Sequence, residues 1–298
     1  MNLVVGATGL VGMEICRLLS AAGKPVRALV RASSDRAKVE KLKAFGANPV
    51  TGDLRDAESL KAACQGANTI ITTASAMPFA YDASRNTMQS TDRDAYLRLI
   101  GIARDARVQQ FVYTSFPPLA ASFPLQDAKR AVEKALRESG LTHTILQPTY
   151  FVEIWLSPAV GFDYPNHKAT IYGAGGNAIS WISFLDVAQF AVASVNNTSA
   201  RNATFELGGP EGISPSNVVT LFERVGRHPF EVSHVPVEAL QKQLADAVDP
   251  MQKSFAGLML GYASHQAIDM SRTIQKLSVK MRTVEDYVRR VMAAPAGV

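Results

Sequence analysis

The chain has 298 residues, 31 Lys and Arg against 26 Asp and Glu, 47% hydrophobic and 19% charged side chains. These values exclude a disordered or fibrous chain, and the length allows a sizeable core without covalent staples. The basic residues are scattered rather than clustered, so nucleic acid is not an expected partner.

The first half alternates between two periodicities. Asn2–Val5 reads as a strand and Leu10–Ala22 as a helix with Val11, Ile15, Leu18 and Leu19 on one face. Strand Val26–Val30, helix Asp35–Phe45, a short strand ending near Thr51 and helix Asp56–Cys64 follow. Thr69–Thr73 is β-branched and bounded by small residues, as suits a buried parallel strand. Helix Asp92–Asp105 precedes strand Gln110–Tyr113, and helix Asp127–Ser139 precedes strand His143–Leu146. Short connections between alternating strands and helices predict an α/β fold with a doubly wound parallel sheet.

After Pro148 the rhythm changes. Residues 149–182 are rich in aromatic and turn-forming residues, and helices return at Leu185–Val195, Pro215–Val225, Val237–Asp246 and Val284–Met292. Ala203–Leu207 is a further strand able to rejoin the sheet. The expected division is a dinucleotide-binding domain over 1–150, with 183–207 returning to it, and a substrate lobe from 151–182 and 208–298.

Strand one ends in Gly6-Ala7-Thr8-Gly9-Leu10-Val11-Gly12, which opens a helix. Glycines permit a tight turn and close approach of backbone to a pyrophosphate, whose charge meets the free N–H groups at the helix start. Gly6, Thr8, Gly9, Leu10, Val11 and Gly12 are therefore candidate cofactor contacts. An NAD site would carry an acidic residue about 20 residues further on. Arg31 stands there instead, 19 residues past Gly12. A guanidinium suits the 2′-phosphate of NADP, with Ser33, Arg36 and Lys38 as helpers.

The turn, Arg31, Gly52-Asp53-Leu54, Thr73-Ala74 and Phe111-Val112-Tyr113-Thr114-Ser115 together resemble the atypical short-chain dehydrogenase/reductases. More narrowly the chain is similar to the NmrA-like group, whose cousins are isoflavone and phenylcoumaran reductases and NADPH:quinone reductases. Thr144–Pro148, Trp181-Ile182-Ser183, Asp186-Val187-Ala188 and Phe205–Pro210 extend the likeness to about residue 230. The resemblance implies a Rossmann fold with Asp53 and Leu54 beside an adenine and Thr73 and Ala74 beside the ribose and pyrophosphate. It also implies Pro148, Tyr150 and Phe151 near a nicotinamide.

Family members carry a serine and a Tyr-x-x-x-Lys pair. Ser115 and Lys129 match, but Leu125 occupies the tyrosine position. Leucine donates no proton. The enzyme reading has hydride passing from NADPH to a small quinone, enone or aromatic acceptor. Lys129 then holds the ribose or acts in acid–base chemistry, and Tyr113, Tyr150 or water supplies the proton. The other reading is a redox sensor that binds NADP(H) without turnover and acts on a protein partner. The aromatic set Phe116, Phe151, Trp155, Phe162, Tyr164 and Tyr172 is expected to line an apolar pocket beside the nicotinamide.

The other chemistries have little support. The five histidines show no i, i+3 or i+4 spacing, so no metal is expected, and no G-x-S-x-G elbow marks a hydrolase. Cys16 and Cys64 are too few for a disulfide framework and fit a reducing cytoplasm. No apolar run approaches about 18 residues, the minimum for a membrane-spanning helix. Met1–Val5 leads directly into the glycine turn, so no secretory leader is expected. A small-molecule substrate is the expected partner. Oligomeric state is left open.

Overall fold

The computed structural model describes residues 1–77 and 80–293. β1 (Asn2–Val5), α1 (Leu10–Ala21), β2 (Val26–Val30), α2 (Arg36–Ala44), β3 (Asn48–Thr51), α3 (Ala57–Cys64) and β4 (Thr69–Thr72) alternate as the periodicity predicts. The Asp35 carboxylate caps α2 and that of Asp56 caps α3, each accepting first-turn N–H groups. α4 (Ala95–Asp105), β5 (Gln110–Thr114), α5 (Pro124–Glu138) and β6 (His143–Pro148) complete the first half.

Two predicted helix starts need correction. The segment expected to open a helix at Asp92 is a π-helical turn over Met88–Asp94, entered through a Thr87–Ser90 capping box, and α4 begins only at Ala95. α5 begins at Pro124, not Asp127, because proline is well placed at a first helical position, where an N–H is not needed.

Beyond β6 come α6 (Val152–Trp155), β7 (Phe162–Asp163), β8 (Lys168–Tyr172), α7 (Phe184–Ser194) and β9 (Ala203–Leu207). They are followed by α8 (Pro215–Gly226), β10 (Glu231–Val235), α9 (Val237–Asp246), α10 (Pro250–Ser264), α11 (Ser271–Lys276) and α12 (Val284–Ala293). The large sheet has the order β3-β2-β1-β4-β5-β6-β9, and every pairing in it is parallel. This is a doubly wound, Rossmann-like α/β fold, and β9 rejoins the sheet as expected. A small sheet, β10-β8-β7, stands apart from it.

Burial explains the order. β1 and β4 are buried along their whole length, whereas β3, which carries Pro49, is the partly exposed edge. One core packs α1 and α7 on one face of the sheet, and a second packs α3, α4 and α5 on the other. A third, aromatic core gathers the small sheet with α8 and α12.

The register decides where chemistry sits. Val5 pairs with Leu29 and Thr72, Thr72 with Tyr113, and Thr114 with Leu146. The residues just past these, Gly6, Arg31, Thr73, Ser115 and Pro148, therefore fall along one edge. The strand order reverses there between β1 and β4, the place where open α/β sheets form their ligand crevice.

Candidate functional site

The glycine turn is shaped by close approach. Gly6 has φ +89°, and a Cβ there would stand 2.7 Å from Ala74 N and Thr73 Oγ1. A Cβ on Gly12 would overlap the Gly6 carbonyl oxygen. Gly9 is the N-cap of α1 and offers no capping side chain, so the first-turn N–H groups lack intrahelical partners. Leu10 is 49% exposed at the same mouth. A side chain at Gly6 or Gly12 would strike the neighbouring backbone, so the glycines keep the turn tight, and free N–H groups at a helix start are of the kind that suits an anion.

Arg31 is exposed at the end of β2, and Leu54 is buried beyond β3. The Asp53 carboxyl is held below the usual carboxylate range, chiefly by its hydrogen bond from Arg55, with a smaller contribution from the charge of Arg31. Asp53 pairs with Arg55 at 2.7 Å. The Thr73 hydroxyl reaches the carbonyls of Val5 and Gly6 at 3.4 Å, and the Ala74 carbonyl accepts from Tyr96 at 2.7 Å. These residues fit a dinucleotide laid across the edge, with its phosphates on the turn and a cation beside its ribose.

From Val11 and Thr73 the crevice deepens into a cavity of about 420 Å³. Ser115, Lys129, Pro148, Tyr150 and Phe151 line it, so the structure brings together the predicted nicotinamide-end residues. Leu125 lines it as well, and its methyl groups leave that wall apolar.

The Lys129 ammonium is 3.3 Å from Asp92 Oδ1, and both side chains are buried. Among the described residues that carboxylate oxygen makes no aligned hydrogen bond, so the contact is an ion pair that leaves ammonium protons available to a ligand. Asp92 Oδ2 accepts from Ala76 N–H at 2.9 Å, which ties the loop after β4 to the pair. The π-helical turn adds a residue to the coil, and Asp92 is completely buried within it.

Of the two tyrosines offered as proton donors, Tyr113 departs from expectation, whereas Tyr150 lines the cavity. Tyr113 is fully buried beneath Lys129, whose Nζ lies 5.3 Å from the ring centroid, and it is not part of the cavity wall. Burial pushes its phenol well up, as do the charges of Tyr96 and Asp92. Among the described residues the buried Tyr150 hydroxyl has no partner, and the ring meets Trp155 and His265 edge-on at 4.8 and 5.2 Å. Burial raises this phenol too.

Of the aromatic set expected around the pocket, Phe116, Phe151 and Trp155 line it. Phe162 and Tyr164 do not: they pack on Phe222 in the third core. Tyr172 faces a separate crevice between α9 and α10. The far wall comes from α10, which supplies Met251, Phe255, Leu258 and Met259 and ends at His265. The sequence reading missed this helix. Its signal was Asp249-Pro250, an N-cap that accepts from Gln252 N–H followed by proline at the first turn.

Among the described residues no cluster of three or more metal-ligating side chains occurs, and no helix is long and apolar enough to cross a membrane. The family model described as the NmrA-like family matches residues 2–288. An NAD(P)H azoreductase of Xenophilus azovorans is 30% identical over 84% of this chain and 86% of its own length. A photosystem II assembly factor of Synechocystis, Ycf39, is 30% identical over 80% of this chain and 72% of its own. The crystal structure of an Escherichia coli NADPH-dependent quinone oxidoreductase complexed with NADPH superposes with a TM-score of 0.76. It is 20% identical and covers 98% of this chain and 99% of that one.

Proposed function

The chain belongs to the NmrA-like family, and we propose that it is an NADPH-dependent reductase of a flat, conjugated, largely apolar acceptor: a quinone, an enone or an azo compound. The observation that carries this reading is the continuity of the anion cradle at Gly6–Gly12 with an apolar cavity floored by Lys129. A site that only sensed the dinucleotide would not need the second space.

The cofactor is NADP(H), which supplies hydride when bound. The first-turn N–H groups of α1 hold the pyrophosphate, and Arg31 holds the 2′-phosphate. Asp53 and Leu54 flank the adenine. Lys129 offers its free ammonium protons to the nicotinamide ribose, with Asp92 keeping it in place. Phe116, Trp155, Phe255 and Met259 take the acceptor's ring. An azo relative at 30% identity and a quinone-reducing fold neighbour support the acceptor class. Quinones suit a wall that carries Leu125, because hydride addition leaves a delocalised oxyanion that needs a hydrogen-bond donor rather than a strong acid.

The test is oxidation of NADPH, followed by absorbance, across a panel of quinones, enones and azo dyes. Turnover of one class, reduced about 100-fold or more in Lys129→Ala, is the expected result. Tight NADPH binding with no turnover on any acceptor overturns the reductase and leaves a redox sensor acting through a protein partner.

A further inference from the structure

Ser115 closes β5 and is buried in the cavity wall. Its Oγ accepts a hydrogen bond from Arg130 Nη2 at 2.9 Å, and among the described residues it donates none. A serine hydroxyl has one proton and two lone pairs, whereas a guanidinium only donates. Arg130 therefore occupies a lone pair and leaves the proton unspent.

Arg130 is not in the cavity wall; it is anchored behind it. Its Nη2 lies 2.9 Å from Glu133 Oε1 and donates to the Phe116 carbonyl, and the guanidinium sits 5.4 Å from the Phe116 ring centroid. Glu133 is itself buried and is gripped by Gln147 Nε2 at 2.8 Å and Arg137 Nη2 at 3.2 Å. Glu133 holds the guanidinium by charge, and the two hydrogen bonds of Nη2, to Ser115 Oγ and to the Phe116 carbonyl, set its aim, while Arg130 Nε and Nη1 are buried without hydrogen-bond partners among the described residues.

We propose that Arg130 is a positioning residue that commits the Ser115 hydroxyl to donate into the cavity, toward the acceptor atom that gains negative charge. This rests on the reductase reading. The acceptor takes a hydride at one end of its conjugated system, the displaced π pair moves onto oxygen or nitrogen, and water supplies the neutralising proton. The nicotinamide is the electron donor. Until the proton arrives, the Ser115 O–H holds the anion. Ser115 thereby serves where Leu125 offers no phenol.

The test reads anion recognition apart from turnover. Protein saturated with NADP+ is titrated with 4-nitrophenolate and with uncharged 4-nitrotoluene, followed by the fluorescence of Trp155 in the cavity wall. Wild type is expected to prefer the phenolate. Ser115→Ala and Arg130→Met each lose about tenfold or more of phenolate affinity, a charged hydrogen bond's worth, while nitrotoluene and NADP+ bind as before. The double variant loses no more than either single one.

Several results overturn the assignment. These are a wild type without preference, an unchanged phenolate Kd in Arg130→Met, additive losses in the double variant, or equal weakening of both probes. Arg130→Lys, which keeps a cation behind the serine, serves if the methionine variant fails to fold, and it should retain part of the preference. Loss of the whole preference in a folded Arg130→Lys overturns the assignment, as does full retention of it in a folded Arg130→Met. A wild type that prefers the phenolate but reduces no acceptor removes the reductase reading alone.

Discussion

Lys129 of α5 and Asp92 of the π-helical turn meet at 3.3 Å with the lysine side chain 6% and the aspartate 0% exposed. The ammonium also stands over the rings of Tyr96 and Tyr113, at 5.7 and 5.3 Å. Removing either partner leaves a buried charge uncompensated, which costs about 3–5 kcal/mol. Asp92→Asn and Lys129→Met should each lower unfolding stability by roughly that amount in urea melts. Asparagine keeps an acceptor for Ala76 N–H. The double variant should therefore regain a good part of the loss, while acceptor turnover stays absent. A double variant no more stable than the singles would contradict the pairing.

Gly12→Ala tests the cradle. The added methyl meets the Gly6 carbonyl, and relieving that contact displaces the turn that aims the N–H groups. Overpacking of this kind costs about 1–3 kcal/mol of stability. Calorimetry should show NADPH affinity falling by tenfold or more, on the order of 1.4 kcal/mol. Wild-type affinity in a folded Gly12→Ala would remove the turn from the binding site.

Arg31→Ala separates the two coenzymes. A charge-assisted hydrogen bond is worth about 1.5–3 kcal/mol, so Kd for NADPH should rise roughly 10- to 150-fold while that for NADH changes little. Equal losses for both coenzymes would take the 2′-phosphate away from this guanidinium.

Acidity should weaken the fold through two histidines that packing desolvates, His143, which is buried, and His265, which is half-buried. Burial holds His143 and His265 below the ordinary histidine value of 6.5, although the Leu141 carbonyl works in the opposite direction on His143. Between the folded values and 6.5 the unfolded chain binds more protons. Their contribution is therefore complete above about 6.5 and declines as pH falls through the folded values. Thermal midpoints measured from about pH 8 to pH 5 should drop, and less so in His143→Gln and His265→Gln. Midpoints that climb toward acid would reverse the sign.

Gly257→Ala probes the far wall. α10 lies so close to α5 that a Cβ at Gly257 would overlap the Phe123 ring, and Leu125 N–H donates to Ser254 Oγ at 3.1 Å across the same contact. Pushing the helix outward should raise KM for the acceptor several-fold, roughly 1 kcal/mol of lost packing, with NADPH affinity unchanged. A parallel loss of both would mean that α10 shapes the cofactor site as well.

Most elements of the sheet were legible in the chain itself. Alternation of period, the capping carboxylates Asp35 and Asp56 and the glycines of the first turn act over a few residues, and the parallel order follows once short connections join them. That Gly6, Arg31, Thr73 and Ser115 share one edge of the sheet was legible for the same reason, since each follows directly on a strand.

Local rules also explain the misses. A π-helical turn and a helix that presents two cations, Lys129 and Arg130, in adjacent positions have no signature of period. No local rule joins residue 92 to 129 or 115 to 130.

The Rossmann-like sheet, the tight glycine turn and the arginine at the end of β2 follow from the chain alone, because backbone conformation and helix faces are encoded within a turn or two. Only the tertiary structure decided which charges are buried together and which aromatic rings face the cavity. Asp92 behind Lys129, Glu133 behind Arg130 and α10 over Phe123 all depend on segments that meet only when the cores close, since desolvation and pairing are properties of packed surfaces rather than of neighbours in the chain.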